Sequence, residues 1–363
     1  MNKRILVLAP LPPPHHGMSI ASNMLLSYLK RDTNFSCASI NTATSSTVAS
    51  ACEQGVMSRK KLYHYFLILF NCIFKILRFN PHVVYIAPPQ SLFGIVSYLP
   101  YMVFSWLMRS RVILHLHGSN YDKVFSQGFF GKLAKFIVSK TTTKIIVLGE
   151  SLRHSLFNQF SKEKLVVCEN GVEREFSEYP FKSEPSVNGK LRLIYFSNLM
   201  VSKGILIFLD SLVKYPHLLD KYDVSIYGAL ETDSDIVKEK LDALTGKIFF
   251  GGPTYGINKI IAFRDADIFI LPSYNEGQPI SILEAYISSC YVVTTDVGGI
   301  KDIFQDQLNG KFIEVGNELS IYDVLIDLDS DEVKRVSSLN RAMALNKYTY
   351  SAYFDRIISI MMG

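Results

Sequence analysis

The chain has 363 residues, 48% of them apolar and 20% charged, which is enough for two α/β domains and too apolar for a disordered chain. Five scattered cysteines (Cys37, Cys52, Cys72, Cys168, Cys290), odd in number and without a Cys-x-x-Cys, argue against a disulfide framework or a zinc module and fit a reducing cytoplasm. The net charge of +5 conceals an asymmetry: residues 1–170 hold 19 Lys+Arg against 6 Asp+Glu, and the remainder 19 against 27. A half this basic points to a polyanionic partner, or else to a solvated basic surface.

In chain order, Arg4–Ala9 reads as a first strand. Lys3 and Arg4 start like a signal peptide, but the apolar run stops at Ala9 and prolines follow at 10, 12, 13 and 14. A Pro/Gly-rich loop then introduces a helix over Met18–Lys30. Lys61–Arg78 is a second helix, with Lys61, His64, Asn71, Lys75 and Arg78 on one narrow polar stripe and an unusually wide apolar face. Val83–Ala87 is a strand of buried type. Leu92–Met108 is an apolar helix, too short to span a bilayer and interrupted by Pro100. Val112–Leu116 is a strand, Phe129–Lys140 a helix with phenylalanines on one side and lysines beside them, and Lys144–Leu148 and Leu165–Cys168 are further strands. Short β-branched runs between helices predict a parallel sheet covered on both faces.

The polar stretch Ser177–Lys190 breaks this series, and the alternation restarts with Leu191–Phe196, Ile205–Lys214, Val224–Tyr227, Ile248–Phe250, Ile268–Leu271 and Tyr291–Thr294. The expected organisation is an N-terminal Rossmann-like domain (1–176), a linker (177–190), a second Rossmann-like domain (191–343) and a C-terminal helix (344–363) returning to the first. In such sheets ligands bind beyond the carboxyl ends of the strands, so the expected ligand site is the interdomain cleft that the two domains face.

The segment from Ala266 to Ala285 is the most informative. A buried strand ends at Pro272, a polar turn carries Glu276, and a helix starts near Pro279 or Ile280, with proline suited to the first helical position. Glu284 lies about one turn into that helix. Carboxylates accept hydrogen bonds from sugar or ribose hydroxyls, and the open N–H groups of Ile280 to Ile282 suit an anion.

The Glu276-x7-Glu284 spacing after Ala-Asp-Ile-Phe-Ile-Leu-Pro-Ser resembles the retaining glycosyltransferases of family 4 (glycosyl transferases group 1), which have the GT-B fold. So do Gly298-Gly299-x-x-Asp302, Phe250-x-Gly252, Asn170-Gly171-Val172, Lys203-Gly204 and His117-Gly118, an ordered series touching most of the chain. The resemblance implies two parallel-sheet domains, a nucleoside-diphosphate sugar as donor, retention of configuration, and no cofactor or metal. It implies that Glu284 bonds the donor ribose, that Glu276 lies beside the transferred sugar, and that Gly277 and Gln278 reach sugar hydroxyls through their amides. Lys203 would neutralise the leaving diphosphate, His117 would contact the sugar at the reacting centre, and Gly17 would let the first loop approach donor and acceptor. Pro279, Ile280 and Ser281 would complete the donor site. His15 and His16 would touch the acceptor or sit in solvent, and His115 is read as a packed residue.

This sequence departs from the family at Ser197-Asn198-Leu199, where glycine-arginine-leucine is usual, so Asn198 occupies the place of a diphosphate-binding arginine. Pro279 removes a backbone donor and Asp302 shortens a usual glutamate. The acidic pairs Asp233/Asp235 and Asp265/Asp267, and the run Asp327–Asp331, read as caps, turns or strand starts, with no histidine or cysteine cluster at metal-ligand spacing. Basic helices with aromatic faces suit an anionic membrane surface, the alternative being that both are core helices. Nucleic acid lacks a supporting signature. The expectation is a cytoplasmic transferase, peripheral on the inner face of the cell membrane. It would glycosylate an anionic, lipid-linked glycan acceptor, as in bacterial surface-polysaccharide synthesis. The alternatives are a soluble sugar acceptor and a non-catalytic nucleotide-sugar binding protein.

Overall fold

The computed structural model describes residues 2–13, 15–43, 59–178, 189–230 and 235–363, with the side chains of 59–64 left out. The described chain divides into two compact units, residues 1–169 with 354–363, and residues 170–353.

The first unit begins with β1 (Lys3–Ala9), α1 (Gly17–Arg31), β2 (Phe35–Asn41), α2 (Arg59–Phe79) and β3 (Val83–Ile86). It continues through α3 (Leu92–Leu107), β4 (Arg111–Leu116), α4 (Tyr121–Ser126), α5 (Gly128–Thr141), β5 (Lys144–Val147), α6 (Glu150–Ser155) and β6 (Leu165–Val167). Its six strands are parallel in the order β2-β1-β3-β4-β5-β6. Strands covered on both faces need no polar alternation, and Ile5 to Ala9 and Val83 to Ala87 are accordingly all buried. The order reverses between β1 and β3, so the loops leaving these strands flank the place where such sheets hold ligands.

The second unit holds α7 (Arg174–Glu178), β7 (Leu191–Phe196), α8 (Ile205–Lys214), α9 (Leu218–Lys221), β8 (Tyr222–Tyr227), α10 (Asp235–Ala243) and β9 (Phe249–Gly252). Then come α11 (Gly256–Asp265), β10 (Ile268–Leu271), α12 (Ile280–Ile287), β11 (Tyr291–Thr295), β12 (Gly310–Ile313), α13 (Glu318–Asp327), α14 (Ser330–Lys347) and α15 (Tyr350–Met362). Its parallel order β12-β11-β10-β7-β8-β9 is the dinucleotide-fold order, with the reversal between β7 and β10. Asp267, expected only to open a strand, fixes that pairing: Arg192 grips its carboxylate with two donors at 3.0 and 3.1 Å at the entrance to both strands.

Several boundaries differ from the sequence reading. Strands β2 and β12 were not anticipated: the first is mostly half-buried and weakly apolar, and the second is a four-residue edge. The first unit closes at Glu169, ahead of the expected 176, because Val172 and Phe176 are buried in the core of the second, with Phe176 edge-on to Phe263. The polar break expected at 177–190 overlaps the end of α7, and residues 179–188 lie outside the described residues. Within the first unit, the final segment is anchored by Phe354 stacked on Tyr28 at 4.2 Å, Arg356 donating to Glu169 O, and Arg111 donating to Met362 O. Pro279 is the N-cap of α12 in extended conformation, one residue short of the expected first helical position. Asp233, Cys52 and the side chains of Lys61 and His64 lie outside the described residues.

Candidate functional site

In the second unit, the turn after β7 and the turn after β10 meet over the reversal point. Gly204 makes this possible: its φ is +75°, and a Cβ there would stand 1.9 Å from the carbonyl oxygen of Pro272. Tyr274 N donates to Ser202 O, locking the two turns together, and Tyr195 Oη on β7 donates to Lys203 O, holding the first turn on its own strand. Lys203 and Glu276 are thereby brought face to face, the ammonium donating to both carboxylate oxygens at 2.7 and 2.8 Å. Ser273 Oγ donates to the same carboxylate at 2.8 Å, and Gly299 N donates to Glu276 O, which gives the Gly298-Gly299 motif a positional role. Glu276 is buried while Lys203 keeps partial exposure. Asn198 also sits on the β7 turn; its carbonyl accepts from Met200 N, and its side chain has no partner among the described residues.

Gln278 follows Gly277 with its side chain buried, and it serves the fold directly: Asn170 N donates to its Oε1 at 2.6 Å and Asn170 Nδ2 to its carbonyl at 3.0 Å. Gly171 packs where a Cβ would meet Tyr353 Cβ at 2.6 Å, so Asn170-Gly171-Val172 is a strap within this unit. Of the amides expected to be open at the start of α12, that of Ile282 is taken by Pro279 O at 3.2 Å. Ile280 and Ser281 stand beside it in the first turn.

Glu284 is 2% exposed and is met by a residue the sequence reading missed. Lys259, on α11, donates to Glu284 Oε1 at 2.5 Å and lies 3.7 Å from Glu173 Oε2. A lysine amid Ile and Ala on a helix reads as a surface residue, and only the fold reveals that it points inward. Burial works against the ammonium, but Glu284 and Glu173 outweigh it and hold its pKa above the ordinary lysine range. Burial raises the Glu284 carboxyl, against the opposing pull of Lys259.

In the first unit the predicted histidines come together. His115 is fully buried, its Nδ1 2.7 Å from Tyr85 Oη, and its ring lies 3.9 Å from that of His117. Neither His115 Nε2 nor His117 Nε2 has a partner among the described residues. Burial, then the neighbouring His16, depresses the His117 pKa to about 3, and burial followed by His117 takes His115 well below its ordinary value. Burial and then His15 lower His16 as well. These rings are therefore neutral hydrogen-bonding groups at physiological pH. His16 caps α1: Ser19 N donates to its Nδ1 at 3.2 Å while His16 N donates to Ser19 Oγ at 3.0 Å. His15 and His16 are half-buried rather than solvated. Gly17 opens α1 without positive φ, and a Cβ there would meet nothing within 4 Å, so the turn does not require it.

The same unit exposes a large apolar face. On α2, Cys72 and Ile76 enter the core, while Phe66, Leu67, Phe70 (75% exposed), Phe74 and Leu77 face outward. Helix α2 packs on α3, and α3 on α5. The end of α3 exposes Trp106 and Leu107, and α5 exposes Phe129 (74%), Phe130 and Phe136. The reading of these helices as wholly core elements therefore fails. Residues 59–142 carry 11 Lys+Arg and a single carboxylate, Asp122. Among the described residues no helix is long and apolar enough to cross a membrane.

Two Rossmann-like domains, the second with charged turns at its sheet reversal, make the GT-B fold, and the comparisons agree. Residues 190–331 match the model of the glycosyl transferases group 1 family. It is 27% identical over 259 residues to the poly(ribitol-phosphate) alpha-N-acetylglucosaminyltransferase of Staphylococcus aureus, covering 68% of this chain and 50% of that enzyme. It is 25% identical over 260 residues to the N,N'-diacetylbacillosaminyl-diphospho-undecaprenol alpha-1,3-N-acetylgalactosaminyltransferase of Campylobacter jejuni, covering 64% of this chain and 67% of that one. The chain thus spans about half to two thirds of the length of these relatives. In fold it is similar to Anabaena HepE, solved with UDP and glucose, with a TM-score of 0.72 at 16% identity and 99% coverage of both chains. It is also similar to S. aureus TarM, with a TM-score of 0.62 at 20% identity over 82% of this chain and 58% of that one.

Proposed function

We propose that this chain transfers a sugar from a nucleoside-diphosphate donor to an anionic, lipid-linked glycan acceptor, with retention of configuration and without a metal, as a step in bacterial surface-polysaccharide synthesis. The observation that carries the reading is the Lys203–Glu276 pair, held over the reversal point of the donor-side sheet by the Gly204 contact. In the reaction the bond from the anomeric carbon to the diphosphate oxygen breaks and a bond to an acceptor hydroxyl oxygen forms. The hydroxyl proton is released to the departing diphosphate. Lys203 offsets the charge that develops there, Asn198 adds a neutral donor, and Glu276, freed from Lys203, accepts from hydroxyls of the transferred sugar. Glu284 accepts from the donor ribose. On the acceptor side, Gly17 leaves room at the start of α1, His117 supplies an uncharged contact to the sugar, and His15 and His16 border the acceptor.

The exposed phenylalanines of α2 and α5, set in a span almost without carboxylates, support a peripheral location on an anionic membrane, on the cytoplasmic face where a lipid-linked acceptor would be met. Two such basic faces would repel one another, which disfavours self-association through this surface.

A thermal-shift screen against UDP-, GDP-, ADP- and CMP-sugars, with and without EDTA, tests the donor reading. One EDTA-insensitive stabiliser is expected. Stabilisation that EDTA abolishes removes the metal-free mechanism, and no stabiliser at all removes the donor site. Flotation with phosphatidylglycerol vesicles, against phosphatidylcholine alone, tests the membrane reading, and equal recovery with both would sink it.

A further inference from the structure

The buried Lys259–Glu284 pair is unexplained by packing. Taking two charges out of water costs several kcal/mol per ion, and apolar residues of similar volume commonly serve a core as well or better. The pair nonetheless sits inside the second unit, with Phe176 and Phe196 rings 5.4 and 5.9 Å from the ammonium. Its geometry is asymmetric: Lys259 engages Oε1 of Glu284, whereas Oε2 has no partner among the described residues. A carboxylate with one oxygen committed and the other open can accept from a ligand hydroxyl in one direction only.

We propose that Lys259 is a positioning residue for the donor: it clamps Glu284 through Oε1 so that Oε2 is presented, ionised and in one orientation, to a ribose hydroxyl of the nucleoside diphosphate. This rests on the donor-site reading above and extends it to a residue outside the E-x7-E motif. Helix α11 is thereby a second-tier element of the site, since its lysine reaches the nucleotide only through α12. The electrostatics agree: burial drives the Glu284 carboxyl upward and Lys259 opposes it, so removing the amine leaves burial unopposed. A carboxyl raised in this way accepts well only above its raised pKa, and loses the ribose contact as pH falls through it.

The test is isothermal titration of the intact chain with UDP, GDP, ADP and CDP, followed by the 2′-deoxy and 3′-deoxy forms of whichever binds. The wild type is expected to favour a ribose hydroxyl by about ten- to hundred-fold, the value of a charge-assisted bond, and, as a ratio of ribo to deoxy affinity in which titration of the diphosphate cancels, to hold that preference further into acid than a variant without the amine. Lys259→Met is expected to bring the preference near unity and to make what remains of it rise with pH, while Lys259→Arg restores both. A Lys259→Met protein that keeps the wild-type ribose preference and its pH dependence, with only a lowered melting temperature, assigns Lys259 to structure and overturns the proposal.

Should that variant not fold, Lys259→Met combined with Glu284→Gln leaves no unpaired charge between the two and is compared with Glu284→Gln alone. Equal affinities support clamping through Glu284. A further loss in the double variant means that Lys259 touches the nucleotide itself, which overturns it. If none of the four nucleotides binds the wild type, the donor-site reading fails first and the proposal falls with it.

Discussion

The two units solve the same problem with opposite electrostatics. In the second, the groups above the sheet are charged and already paired: Lys203 with Glu276, and Lys259 with Glu284. In the first, the corresponding groups are neutral rings, His115 and His117, each with a buried nitrogen that has no partner among the described residues. On the function proposed above, the second site would meet a leaving diphosphate and need cations on hand, and pairing them with carboxylates limits the cost of holding them dehydrated. The first would meet hydroxyls and need donors and acceptors without net charge, which burial supplies by keeping the histidines neutral. The formal charge of each half runs the other way, since the basic residues of the first unit lie on its surface helices and not in its site.

The largest effect that would sharpen this contrast is expected at Lys203. Lys203→Ala should lower turnover by about 10²- to 10³-fold, as for loss of one preorganised transition-state contact, measured as transfer at saturating donor; an unchanged rate would break the assignment of leaving-group charge to the second unit. Next comes Gly204→Ala. A methyl group against Pro272 O at positive φ forces the two turns apart, and a loss of about 1–3 kcal/mol is expected in denaturant unfolding, with activity falling alongside.

Within the first pH unit below the unfolded histidine value, an effect of similar size is expected from pH. The histidines have depressed pKa values in the folded protein, so the stability they allow is complete above about pH 6.5, the unfolded value, and declines as pH falls toward the folded values. The slope should reach about 1.4 kcal/mol per pH unit for each ring. Replacing His117 with Asn should flatten the acid side of the unfolding profile; an unchanged slope would mean the cluster is not held neutral. The smallest change in stability is expected for Gly17→Ala, within about 0.5 kcal/mol, since its Cβ meets no protein atom. A clear loss of transfer activity in that stable variant would show that the open space belongs to a ligand.

Much of this was legible before the fold was known, and for physical reasons. Buried parallel strands announce themselves as runs such as Ile268–Leu271, and the Glu276 and Glu284 positions follow from a strand, a turn and a helix in succession. Strand β2 was not legible, because Phe35–Asn41 is only half-buried and lacks the apolar run. Lys259 escaped because its partners arrive from α12 and from the segment before α7, and contacts between distant segments leave no local pattern. The Asn170–Gln278 strap escaped for the same reason, separated as it is by 108 residues. The aromatic face of α2 was read as too wide to bury, and the structure supplies the reason: Cys72 and Ile76 enter the core with Tyr65, Ile68, Leu69 and Phe79 packed half-buried against it, while Phe66, Leu67, Phe70, Phe74 and Leu77 stay outside.

The return of residues 354–363 to the first unit has a consequence for how the protein is made. The ribosome delivers residues 1–169 early, then spends the whole of 170–353 on the second unit before the last piece of the first emerges. At about 5–20 residues per second that interval is on the order of 10–40 s. Throughout it the nascent first unit lacks the partner of Tyr28 and the acceptor of Arg111, and carries its outward-facing phenylalanines uncovered. Completion of the first unit therefore waits on residues synthesised after the whole of the second, and a premature stop that spares the entire second unit would still leave the first one unfinished.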